Sequence, residues 1–203
     1  LTSNVACAVN PELTYVKARQ DGALYYLAES CIEQMRSRGP FQIEGRISGA
    51  QMEGWGYDGP FDELPEPSKV RDAHRVVAWD LVSETEGTGL VHIAPGCGAE
   101  DFELGKQHGL EALCPLAENG VFTDGFGPFT GVHAYDLAPA ILEALEKKGI
   151  LHAQEQYVHN YPHCWRCGSQ LLFRKDRFWF IAMDPWRQEI IEVAKKIKWI
   201  PSY

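Results

Sequence analysis

Residues 87–101 read GTGLVHIAPGCGAED and hold the densest set of groups able to do chemistry. An imidazole, His92, sits in the apolar run Leu90–Ala94, and two carboxylates, Glu100 and Asp101, follow a glycine-rich turn. Gly87 and Gly89 flank Thr88, where a backbone can take positive φ or lie close against a ligand. Pro95 and Gly96 end the apolar run because proline gives no ladder hydrogen bond. The pattern predicts a strand, a turn and a helix start, with the carboxylates in a first helical turn that favours negative charge. Such a wall could bind an ammonium group or shape a pocket. Its plain alternative is a structural strand histidine beside a solvated helix cap.

Cys164-Trp165-Arg166-Cys167 is a second chemical feature. Two thiolates at this spacing can hold one edge of a tetrahedral zinc site. His163 or His159 could add a third ligand, or the partners could lie outside this sequence, which is the reading preferred here. A free structural pair is the plain alternative. A redox role is weaker, since a redox C-x-x-C opens a helix and this one sits in extended surroundings. The other four cysteines, Cys7, Cys31, Cys97 and Cys114, are scattered, which fits a reducing compartment.

Several functions find no support. No G-x-S-x-G elbow is present, so a serine esterase is unsupported. G-x-G-x-x-G and a P-loop lysine are missing, which argues against nucleotide binding. A formal net charge of -9 argues against gripping nucleic acid by bulk charge, though not against acting on one end of an RNA. No apolar run approaches the roughly 20 residues of a membrane helix. The chain starts on Leu-Thr-Ser without a methionine, as expected of a piece of a longer protein.

The elements that must position these groups can be read in order. Val5–Val9 and Leu13–Ala18 predict strands joined at Asn10-Pro11, with a third strand over Leu24–Leu27. A helix is expected over Glu29–Arg38, then strands over Phe41–Ile47 and Arg75–Val82. Between those last two, residues 49–67 are rich in Gly, Pro and aromatics, and Trp55, Tyr57 and Phe61 are too apolar to float free. Phe102–Gly109 predicts a short helix, and Val121–Phe129 a hairpin-like loop. Leu137–Lys148 predicts an amphipathic helix closed by Gly149. A strand over Ile150–Tyr157, an extended aromatic segment over Gln170–Ile181 and a helix over Pro185–Lys196 complete the chain. Trp55, Trp79, Trp179 and Trp186 are expected in the core. The class is α+β, with a β-barrel-like core of short, mostly antiparallel strands, peripheral helices, and a C-terminal extended ribbon carrying the Cys-x-x-Cys knuckle. The expected division is 1–157 and 158–203.

GTGLVHIAPGCGAED resembles the central motif in the editing domain of class I aminoacyl-tRNA synthetases, the group that holds the isoleucyl, valyl and leucyl enzymes. His92, the run HNYPHCWRCGSQL (159–171) and the following FWFIAM and KIKWIPSY are similar to the isoleucyl branch. EDFELGKQHGL (100–110) is similar to the valyl version as well. Leu1-Thr2-Ser3-Asn4-Val5-Ala6 resembles the end of the isoleucyl branch's threonine-rich entry segment, most of which would lie upstream.

The resemblance implies an editing domain over 1–157 and a return segment over 158–203 toward a catalytic core not contained here. It implies hydrolysis of the ester of valyl-tRNA(Ile), with an action on the valyl-adenylate as an extension. Asp101 would bind the α-ammonium, and His92 would limit side-chain size. Gly87, Thr88, Gly89 and Asn4 would line the substrate. Water would be positioned by backbone groups and the substrate's vicinal hydroxyl. Editing would need no cofactor, while Cys164 and Cys167 would form half of a structural zinc site. Expected partners are the tRNA(Ile) 3′ end and the rest of the synthetase, in a cytoplasmic, monomeric setting with no membrane. The alternatives are a valyl-type domain acting on threonyl-tRNA(Val), a tRNA-end-binding module without catalysis, and a small zinc-ribbon interaction domain.

Overall fold

Val5–Val9 carries no polar side chain, and it becomes the centre of the molecule. In the computed structural model, which describes residues 1–36, 39–85, 87–154, 156, 158 and 160–200, the strands are β1 (Ala6–Val9), β2 (Thr14–Gln20), β3 (Ala23–Ala28), β4 (Gln42–Ser48), β5 (Arg75–Ala78) and β6 (Leu90–Ile93). β1 lies between β5, to which it runs parallel, and β6, to which it runs antiparallel. Both faces of β1 are covered, which explains its unbroken apolar run. Ala6 and Ala8 pack with Val77, Ile93 and Leu104 on one face, and Val9 joins Tyr15, Val16, Leu27 and Met52 on the other.

The second sheet, in the order β3-β2-β4, is antiparallel throughout. Asp21 and Gly22, with φ of 50° and 82°, make the two-residue turn between β2 and β3, and the pairing of Gln20 with Ala23 closes it. An Asp-Gly pair suits this turn because both residues must take positive φ to match the strand twist.

The connection between the sheets differs from the expected barrel-like core. The strands before and after Asn10-Pro11 do not pair with each other, because the turn carries the chain from one sheet to the next. Asn10 Nδ2 donates to the carbonyls of Asp80 and Val82, which fixes that crossing. No barrel closes either. Among the described residues the two sheets share no ladder, and each three-stranded sheet ends at its own edge strands, so hydrogen bonding does not run continuously around a ring. The sheets are joined instead by shared side-chain packing, by Ala28 N–H donating to Thr88 O at 2.8 Å, and by the Tyr15 hydroxyl donating to Gly89 O at 2.7 Å.

The helices are α1 (Glu33–Arg36), α2 (Gly49–Met52), α3 (Ala99–His108), α4 (Leu137–Lys147) and α5 (Arg187–Lys196). The helix expected over Glu29–Arg38 breaks into a 3-10 turn at Glu29–Cys31 and α1, and Ser37 and Arg38 lie outside the described residues. α3 begins directly after Gly98, with Glu100 and Asp101 in its first turn as expected, and closes on Gly109 in the left-handed region. α4 ends as the sequence predicts, with Gly149 at a φ of 69° past its C-cap. Its Leu137 and Leu145 pack with Phe61, Phe122, Phe126 and Phe129 in a cluster of their own.

β5 stops at Ala78 rather than at Val82, and no strand forms among the described residues of 150–157. The segment 170–181 forms no strand; beside the bridge between His163 and Gln170, Leu171 N–H donates to Pro162 O and Lys175 N–H to Gly96 O. Trp179 is fully exposed and Trp186 largely so, which corrects their expected place in the core. No helix is long and apolar enough to cross a membrane, among the described residues.

The turn after β6 is tightly seated: a Cβ on Gly96 would run into the carbonyl of Leu113. Backbone cannot yield as a flexible side chain does, so Gly96→Ala is expected to destabilise the chain by about 3 kcal/mol. Urea unfolding checks this, and a midpoint within error of the parent would refute it.

Candidate functional site

Pairing of β1 with β6 sets His92 opposite Cys7 and brings Asn4, two residues before β1, to the imidazole. Asn4 is buried, and its side chain is fully engaged. Nδ2 donates to Ala6 O at 2.9 Å and lies 2.8 Å from His92 Nδ1, while Oδ1 accepts from the Tyr57 hydroxyl at 2.6 Å. An amide N–H facing Nδ1 makes that nitrogen the acceptor and leaves the ring proton on Nε2. Burial pulls His92 down to about 3, so it is neutral throughout the physiological range.

Asp101 stands in the first turn of α3 and reaches back to the end of β6. Its Oδ2 accepts from Ala94 N–H at 2.8 Å, and burial holds its carboxyl above the ordinary range. His92 and the anchor of Asp101 are therefore two residues apart on one strand and its exit. Cys97 follows in the same turn, where burial pushes its thiol up.

Gly87, Thr88 and Gly89 lie at the opposite end of β6, about 10 Å away at ~3.3 Å per residue. Gly89 is pressed against Ala28, where a Cβ would collide with the Ala28 methyl, and its φ is 72°. The carbonyls of Thr88 and Gly89 are both spent on the second sheet. The structure thus brings Asn4 to His92, ties Asp101 to the exit of the same strand, and gives the Gly-Thr-Gly turn a part in joining the sheets. A cavity of about 280 Å³ opens beside the Pro95–Gly98 turn, between Phe102 and the segment Phe173–Phe178.

No family model matches the chain. Curated relatives do. An isoleucine–tRNA ligase of Methanothermobacter thermautotrophicus is 37% identical over 204 residues, covering all of this chain and 19% of the relative. One from Carboxydothermus hydrogenoformans is 38% identical over 205 residues, again over the whole chain and 21% of the relative. By sequence the chain belongs to the isoleucine–tRNA ligase family. It spans about a fifth of the length of those relatives. A solved structure described as "The crystal structure of GlLeuRS-CP1" matches with a TM-score of 0.58 at 13% identity, over 76% of this chain and 80% of that one, a likeness of fold.

For this isoleucine–tRNA ligase segment, the metal question turns on Cys164 and Cys167. They sit at a turn closed by Gly168 N–H donating to Cys164 O and Cys164 N–H donating to Ser169 O, each at 2.8 Å. Hydrogen bonds from Ser169 and Cys164 bring the exposed Cys167 thiol down to about 7. His163 Nδ1 is engaged with Gly168 O at 2.7 Å, and His159 lies outside the described residues. No group of three or more candidate metal ligands gathers among the described residues. Two thiols alone do not make a tetrahedral zinc site.

Sequence reasoning missed Tyr57 and His74. His74, twelve residues after Asp62, is buried with Nδ1 donating to Val5 O and Nε2 2.9 Å from Asp62 Oδ1. Tyr57 stacks on it, with ring centroids 5.0 Å apart and planes at 15°. Neither spacing follows a helical or strand period, so only the fold could reveal the cluster. Asn4→Ala would leave Ala6 O, the Tyr57 hydroxyl and His92 Nδ1 without this partner in a buried site. The expected loss is about 2–3 kcal/mol in urea unfolding, and a loss under about 0.5 kcal/mol would show that these contacts do not matter.

Proposed function

We propose that this chain is the editing domain of an isoleucine–tRNA ligase, hydrolysing the ester that joins valine to tRNA(Ile). The observation that carries the reading is that a neutral, amide-held imidazole, His92, and a carboxylate anchored to Ala94 N–H, Asp101, are tied to positions two residues apart on β6 and its exit. Similarity to isoleucine–tRNA ligases along the whole chain supports it.

The need for such a site is energetic. A methylene in a hydrophobic pocket is worth only about 1–3 kcal/mol, a general limit usually illustrated by isoleucine against valine themselves. A pocket built for isoleucine therefore admits valine, and a second pocket that excludes the larger side chain can remove the error. Asp101 receives the α-ammonium: Ala94 N–H fixes one oxygen and leaves the other to the substrate. His92 bounds the side-chain end. It is neutral, so it adds no cation beside the ammonium.

Water attacks the ester carbonyl, the new C–O bond forms, and the bond to the ribose oxygen breaks. The proton ends on that ribose hydroxyl, releasing valine and intact tRNA(Ile). Backbone groups and the vicinal hydroxyl position the water, so neither His92 nor Asp101 serves as a general base. Residues 1–157 form the editing unit, and 158–203 lead back toward the rest of the synthetase, which is the partner in cis. The partner in trans is the tRNA(Ile) 3′ end. No cofactor takes part in hydrolysis, and Cys164 and Cys167 hold zinc only if further ligands are supplied from beyond the described residues.

Asp101→Ala is expected to lower valyl-tRNA(Ile) deacylation at least 100-fold with the fold retained. Because burial raises Asp101, its ionised form is lost at a higher pH than for an exposed carboxylate, so hydrolysis should fall off on the acid side above the usual carboxylate range. Undiminished deacylation by the alanine variant would overturn the ammonium anchor. His92→Ala is expected to admit isoleucine, so that isoleucyl-tRNA(Ile), spared by the parent, is hydrolysed. Continued sparing would remove His92 from the size filter. A valyl-tRNA(Val) arm in the same assay checks that the specificity is for tRNA(Ile).

A further inference from the structure

We propose that Tyr57 is a positioning residue for His92, its hydroxyl holding the Asn4 amide that in turn holds the imidazole. What His92 accomplishes rests on the editing reading above. How it is held rests on geometry alone.

Asn4 has one amide and three claims on it. Its N–H groups go to Ala6 O and His92 Nδ1, and its carbonyl accepts from the Tyr57 hydroxyl. At 8% exposure, that carbonyl has little water to fall back on. Remove the hydroxyl, and a buried acceptor loses its partner, a cost the amide relieves by turning outward. The same turn takes Nδ2 away from Nδ1. His92 then loses the contact that selects its tautomer and fixes its ring, and a wall meant to separate two side chains by one methylene becomes loose. Displacements of this order are what such sites least tolerate.

Tyr57 is itself braced. Residues 54–56 run along the outer edge of β5, with Gly54 N–H donating to Val76 O and Gly56 bridged to Arg75, which delivers Tyr57 to the start of β1. Its ring lies flat on His74, which is locked between Val5 O and Asp62. Gly59 N–H donates to Asp62 Oδ2 at 2.6 Å, closing the loop behind the pair. A Cβ on Gly59 would collide with both Asp62 and His74. This brace holds the phenol ring without using its oxygen, so the hydroxyl is left to serve Asn4. Burial keeps that hydroxyl protonated and able to donate.

Tyr57→Phe in the 203-residue chain tests the assignment, since the phenyl ring keeps the stack on His74. Nitrogen-15 spectra of the His92 imidazole at pH 7 should show the parent as one tautomer, with Nδ1 unprotonated and Nε2 protonated, and the variant as a mixture. In parallel, the ratio of deacylation rates for valyl-tRNA(Ile) over isoleucyl-tRNA(Ile) should narrow about tenfold, the equivalent of one hydrogen bond. Unchanged His92 nitrogen shifts in a folded variant would overturn the proposal. Shifted spectra with an unchanged ratio would reject its consequence for selectivity. If the parent hydrolyses neither ester, the editing reading fails, while the spectra still decide whether Tyr57 holds His92.

Discussion

The burial of β1, in which only Cys7 keeps some exposure, is the constraint from which the rest follows. A strand out of reach of water must have its backbone groups paired on both edges, and here β5 and β6 supply that pairing. The register then leaves little freedom. Cys7 opposite His92 places the residues before Ala6 beside the exit of β6, so Asn4 arrives at the imidazole and Val5 N–H at Ile93 O. On the other edge, the parallel pairing with β5 sets His74 against Val5 O. Two polar clusters that are distant in sequence meet at the start of one apolar strand.

Those clusters show how a small pocket wall can be rigid while made of polar groups. Each buried polar atom along it has a defined role: Asn4 uses both ends of its amide, His74 uses both ring nitrogens, and Asp62 uses both oxygens. A satisfied network of this kind specifies one arrangement because every alternative leaves a partner unmade. His92 gains a fixed orientation from it, and burial keeps the ring uncharged. Asp101 is fixed by a different device, a backbone N–H at the end of the strand, so the two groups are held independently.

The C-terminal quarter obeys other rules. Phe178, Trp179, Phe180 and Ile181 are strongly exposed, and α5 presents Ile190, Ile191 and Val193 without a covering layer. The relatives are about five times longer than this chain, and the apolar content of 170–200 finds no core among the residues described here. The aromatics of the segment 170–181 therefore do not pack as core.

Much of the fold was legible in residue types. The apolar run of β1, the amphipathic stripe closed by Gly149, and the proline before α5 announce themselves locally, because period and turn chemistry act within a few residues. His92 and Asp101 could also be singled out, since a strand, a glycine turn and a helix start are short-range events. Sheet membership could not. The strands on either side of Asn10-Pro11 follow one another through a turn yet belong to different sheets, and the part of the Gly-Thr-Gly turn in joining those sheets has no local sign. Tyr57 announces only that it is too apolar to float free, and nothing local to it or to His74 signals the cluster they form. The sequence by itself determined which segments are apolar and where the chain must turn. Only the tertiary structure decided that a tyrosine 53 positions away completes Asn4, because partners across a register are chosen by how buried strands pair, and no local spacing records that choice.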